Sequence, residues 1–141
     1  MFGLFGGKKL SVKLDKTEFK PGEEISGIIK LETKSPLPAD RLRVALSYNA
    51  PDKTYTTPIE TEFVSTEIQG SSEFVSGEFH FSISIPAIAP EIEYPGDDPQ
   101  MADAWKNDDV LGANSFFVLA FLEFPKDKPL KSKYVDIKIH Y

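Results

Sequence analysis

The sequence predicts an all-β fold of about seven antiparallel strands, packed as a sandwich or barrel. Three observations carry this reading. Apolar and polar residues alternate with a period of two through most of the chain, as in strands with one buried face. Short segments rich in Pro, Gly, Asn, Asp and Ser separate the runs and set turns between them. No stretch shows the period of a long amphipathic helix, so the strands have mainly one another to pack against.

The first run places Leu10, Val12 and Leu14 on one face, and the next does the same with Ile25, Gly27, Ile29 and Leu31. Pro21-Gly22 lies between them, a turn pair in which Pro fixes φ and Gly accepts a positive φ. A third run alternates Leu42, Val44, Leu46 and Tyr48 with Arg41, Arg43, Ala45 and Ser47. Arg41 and Arg43, the only arginines, read as a solvated strand face. The fourth sets Ile59, Thr61, Phe63 and Ser65 against Glu60, Glu62, Val64 and Thr66. The fifth faces Val75, Gly77, Phe79, Phe81, Ile83 and Ile85 inward, with His80 among the outward residues, and Pro86 closes it. Residues 116–124 are too uniformly apolar for a half-wet strand, which predicts a central strand covered on both faces. The last run turns Val135, Ile137 and Ile139 inward. Gly27 and Gly77 fall inside strands and mark bulges or close backbone approach.

A chain of 141 residues is the size of one domain and buries roughly 68% of its unfolded surface. The expected division is an apolar and basic tail over 1–8 and a single domain over 9–141. There is no Cys, which excludes disulfides, thiol catalysis and thiolate metal sites and fits a reducing, cytoplasmic setting. The opening MFGLFGG is too short for the apolar core of a secretory signal, and its lysines follow it. No run approaches the length of a membrane-spanning helix.

Charge is segregated along the chain. Residues 54–109 hold twelve acidic residues against one basic, whereas 1–53 carry a net +3 and 110–141 a net +2. The acidic centre argues against nucleic acid as a partner. Within it, residues 86–109 form an unusually long connection, of a kind that is often functional. Asp98-Pro99 is placed to start a short helix over 99–106. Met101, Ala104 and Trp105 would share one face of it. Met101 and Trp105 then either plug the open end of the sandwich or form an apolar contact for a partner. The acidic side chains read as a solvated loop with no metal. Any cation held there would be Ca²⁺, with Glu91, Glu93, Asp97, Asp98, Asp103, Asp108 and Asp109 as its oxygen ligands.

At the amino terminus Phe2, Leu4 and Phe5 are spaced by glycines and followed by Lys8-Lys9. They read first as a tail, and otherwise as a weak contact with an anionic membrane surface. Catalytic patterns are missing. The two histidines, His80 and His140, lack a triad setting, and there is no nucleophile elbow, P-loop or His-Glu-x-x-His. No enzyme activity and no cofactor are expected.

Taken in order, LSVKLDKTEFKPGEEISGIIKLET, RLRVALSY, EFHFSISIPAIAP, SFFVLAFLEF and YVDIKIH resemble the arrestin-like superfamily, in its amino-terminal type of domain. The resemblance spans about residues 9–140. It implies an immunoglobulin-like β-sandwich of seven or more antiparallel strands, acting as a non-enzymatic adaptor or scaffold that binds protein. Related families include arrestins, arrestin-domain trafficking adaptors, a retromer subunit and prokaryotic sporulation-control proteins, which usually carry two such domains in tandem. With length for one, this chain is expected to use strand edges for a protein partner or to pair as a homodimer. The alternative is an immunoglobulin-like module that binds calcium or carbohydrate through the loop 86–109.

Overall fold

Seven long strands coincide with the alternating runs, and four short ones are added between them. The computed structural model describes residues 7–51, 58–90, 100 and 116–141. In chain order the strands are β1 (Lys8–Leu14), β2 (Glu18–Phe19), β3 (Glu24–Thr33), β4 (Leu37–Ala39), β5 (Arg41–Pro51) and β6 (Pro58–Gln69). They continue with β7 (Ser72–Phe74), β8 (Gly77–Ser84), β9 (Phe116–Glu123), β10 (Leu130–Lys131) and β11 (Val135–Ile139). The smaller sheet has the order β1-β3-β8, and the larger β2-β11-β9-β5-β6, with β10 also on β9. β4 and β7 pair as a separate ribbon. All pairings are antiparallel except β2 with β11. The core between the sheets takes Leu10, Ile25, Ile29 and Leu31 from one layer and Leu42, Val44, Leu46, Val118 and Leu122 from the other. The molecule is a β-sandwich.

The segment joining β1 to β3 departs from a simple hairpin. The two strands pair as the alternation requires, Leu14 opposite Gly27 and Leu10 opposite Leu31. Between them the chain crosses to the other sheet, where β2 lies parallel to β11 and buries Phe19. It returns through a turn at Lys20, Pro21, Gly22 and Glu23. Glu23 N–H donates to the Lys20 carbonyl at 3.2 Å, and Gly22 has φ +84°, the positive φ of a type II turn. The Glu23 carboxylate folds back to accept from Lys20 N–H at 2.6 Å. Gly22 N–H and Ile85 N–H then zip the turn onto the end of β8. Gly27 has a different reason to be glycine. A Cβ there would stand 2.4 Å from the Lys13 carbonyl oxygen and 3.0 Å from the Phe81 ring.

β9 is the central strand expected for residues 116–124. β5 lines one edge over Arg41–Tyr48, and β11 and β10 share the other. Where those two leave a gap, Ser132 fills it. Its N–H donates to the Ala120 carbonyl at 3.0 Å, and its hydroxyl accepts from Ala120 N–H at 2.8 Å. Both faces of β9 are covered: Val118, Ala120 and Leu122 point into the core, while Phe117 and Leu119 are 3% and 0% exposed on the far face beside Ala45.

Two readings of the alternation change. In β6 the register slips between Leu46 and Ser47, which face Val64 and Glu62 and leave Phe63 as the extra residue. This bulge moves Val64 to the core side together with Phe63, so Val64 does not share a face with Glu60 and Glu62 as strict alternation requires. Val75, expected inward, is 56% exposed. It precedes the start of β8 at Gly77, where Ser76 turns aside to bond the backbone of Thr33.

Candidate protein-binding edge

The registers sort the strand ends into two poles. Lys8 lies opposite Thr33, Leu31 opposite Gly77, and Arg41 opposite Glu123. Glu24 lies opposite Ser84, and Tyr48 opposite Phe116, at the other pole with the Pro21-Gly22 turn. The acidic segment links β8 to β9 from that second pole.

Between the poles runs an open side. β6 and β8 are the outer strands of their sheets on this side and touch across the layers. β6 spans twelve residues, and among the described residues it pairs only with β5. Phe63, Val64 and Ile68 of β6 and Phe79 of β8 pack on the core but stay partly exposed. Phe63 meets Tyr48 edge-on, ring centroids 6.0 Å apart, and Phe116 at 6.5 Å. Phe79 lies 6.2 Å from Phe74. Among the described residues, a strand edge with unpaired backbone groups therefore runs alongside a half-covered apolar seam. The surroundings are acidic. Glu67, Glu73 and Glu78 form no ion pair among the described residues, whereas Glu60 and Glu62 are held by Lys131 and Arg43.

Arg41 and Arg43 are not a plain solvated face. β9 brings Glu123 and Phe121 opposite them. Arg41 pairs with Glu123, and Arg43 donates to Glu62. The Arg43 guanidinium lies over the Phe121 ring, 4.2 Å from its centroid, and its side chain is only 15% exposed. Its Nε sits 3.2 Å from Glu123 Oε2 without the angle of a hydrogen bond. Burial alone raises the Glu123 pKa, but the hydrogen bond from Arg41 and the charges of both arginines outweigh it and hold the carboxyl below its ordinary value. Nothing in the alternation of β5 announced this cluster, because its acidic partners come from β6 and β9.

The residues singled out in the long loop, Glu91, Glu93, Asp97, Asp98, Met101, Asp103, Trp105, Asp108 and Asp109, lie outside the described residues. So do Phe2, Leu4 and Phe5. Of the span expected to be helical, only Gln100 lies among the described residues. Among the described residues no group of three or more His, Cys, Asp or Glu could hold a metal. No helix among them is long and apolar enough to cross a membrane. His80 faces outward on β8, and His140 lies 3.7 Å from Glu18.

The two-layer topology, with the Pro-Gly-Glu turn docked between β2 and β8, is an arrestin-like β-sandwich. The crystal structure of Spo0M, a sporulation control protein from Bacillus subtilis, superposes on 96% of this chain with a TM-score of 0.64 and 16% identity. This chain spans half the length of that protein. An alkylpurine DNA glycosylase, AlkC of Pseudomonas fluorescens, bound to DNA containing an abasic-site analogue, matches with a TM-score of 0.45 and 13% identity, covering 99% of this chain and 32% of its own. No protein-family model matches the sequence, and no curated protein matches it.

Proposed function

We propose that this chain is a non-enzymatic adaptor module of arrestin-like fold that binds an extended segment of a protein partner along the β6 edge. The single observation that carries the reading is the twelve-residue β6, paired on one side among the described residues and flanked by the half-covered seam of Phe63, Val64, Ile68 and Phe79. An added strand would satisfy the outer backbone groups of β6 and lay alternate side chains over that seam. The acidic margin selects the partner's chemistry: apolar residues alternating with lysine or arginine. A second copy is a poorer fit. β6 carries Glu60, Glu62 and Glu67 and no cation, so β6 against β6 opposes like charges.

The edges at β1 and β2 suit a partner strand less well. β1 has seven residues and bears Lys8, Lys9 and Lys13, the kind of charged edge that resists pairing. β2 has two residues.

Two proline substitutions test the proposal. Neighbouring residues of an edge strand point their N–H groups to opposite sides, so Ser65→Pro and Thr66→Pro remove one outward and one inward donor. Peptides selected from a random display library on the intact protein should be rich in alternating basic and apolar residues. The variant that loses the outward donor should fold and lose them. Peptides that bind both folded variants equally would contradict the reading. Binding that follows calcium or sugar, abolished by deletion of 91–109, would favour the ligand-binding alternative.

A further inference from the structure

We propose that the pole of the sandwich where β1 begins docks on the anionic surface of a phospholipid membrane. Two shallow grooves meet there and share Lys8. The first, about 320 Å³, is walled by Lys8, Lys9, Lys34, Thr33 and Ser76. The second, about 290 Å³, lies between Lys8, Lys128 and the apolar Phe124, Pro129 and Leu130. Four lysines thus line one pole of a chain whose net charge is -6. The single acid in the lining, Glu32, is engaged by Lys30 at 3.4 Å.

These lysines are set apart by their gathering at one pole and not by pairing alone, since Lys13, Lys20, Lys126, Lys133 and Lys138 also form no ion pair among the described residues. Lys16, Lys131, Arg41 and Arg43 each have a carboxylate partner. Among the described residues Lys8, Lys9, Lys34 and Lys128 form no ion pair, and Lys8 instead lies 5.4 Å from the centre of the Phe124 ring. Unpaired, exposed ammonium groups on one pole present their full charge to a plane of phosphates. Each lysine near such a surface strengthens attachment about fivefold, within a Debye length.

An exposed apolar side chain adds to this. Val75, 56% exposed, adjoins Ser76 of the first groove. A basic patch with a few apolar side chains gives reversible surface binding. A planar surface fits better than a nucleic acid, which would extend past this pole onto the acidic sides of β6 and β8. Docked by its end, the sandwich points its strands away from the bilayer and leaves the β6 edge accessible.

Co-sedimentation with vesicles tests this. Vesicles of phosphatidylcholine with phosphatidylserine should bind the intact chain, vesicles of phosphatidylcholine alone should not, and high salt should release it. The variant Lys8→Glu, Lys34→Glu, Lys128→Glu should lose at least about 100-fold in vesicle affinity. Lys16→Glu with Lys138→Glu, at the opposite pole, should bind as the intact chain does. Val75→Ser should weaken binding without changing its salt dependence. Should the triple variant fail to fold, Lys34→Glu and Lys128→Glu singly should each lose about fivefold. Equal binding to both vesicle types, undiminished binding by the charge variants, or binding to an acidic peptide or DNA with none to vesicles would overturn the proposal.

Discussion

Glu23 shows how one side chain fixes the entry into β3. Its carboxylate accepts from Lys20 N–H and Lys16 Nζ, and these bonds, the backbone one foremost, lower its pKa from the ordinary 4.5. A carboxyl lowered in the folded state contributes stability above its unfolded pKa and loses it as pH falls through the folded value. Glu123 is lowered too, its arginines outweighing the opposing effect of burial. Thermal stability should therefore hold near neutral pH and decline as pH drops below 4.5. Glu23→Gln should shrink that decline, and melting curves across the acid range measure it. Gly27 makes a second prediction at this scale. Because an added Cβ would meet a backbone oxygen, Gly27→Ala should cost about 1–3 kcal/mol in denaturant unfolding. The special role of Pro21-Gly22 was legible in the sequence, since turn chemistry is local. For Gly27 the sequence left two readings, a bulge or a close approach. Only the register of β1 on β3 decides for the close approach.

At the scale of elements, β9 was readable because an unbroken apolar run of strand length demands cover on both faces. Its repair by Ser132 was not readable, for a serine in a Lys-Ser-Lys sequence carries no sign of burial. Ser132→Ala would leave Ala120 N–H buried without a partner and should cost about 1–3 kcal/mol, read from the denaturant midpoint at unchanged slope. β6 marks the limit of period-two reasoning. A bulge adds one residue and inverts the assignments that follow it, here until a second shift at Ile68, which is why Val64 joins Phe63 on the core side. Those two adjacent apolar side chains create the half-covered seam on which the proposed peptide site rests. The four short strands were missed for a simpler reason: two or three residues cannot display a period.

For the molecule as a whole, the order of the long strands is legible in the sequence and resembles that of an arrestin-like sandwich. The two proposed surfaces are not legible there, because each combines residues distant in sequence. The acidic margin joins β6 to β8, and the basic pole joins β1 and β3 to residues 124–130. Charge counted along the chain pointed to an acidic middle and basic flanks; the fold gathers part of the basic flanks into one pole. Hydrogen–deuterium exchange with and without a display-selected peptide shows whether β6 is the docking edge. Slowed exchange confined to β6 and the facing part of β8 is the predicted result. Unchanged exchange in β6, with slowing confined to residues 91–109, would contradict it.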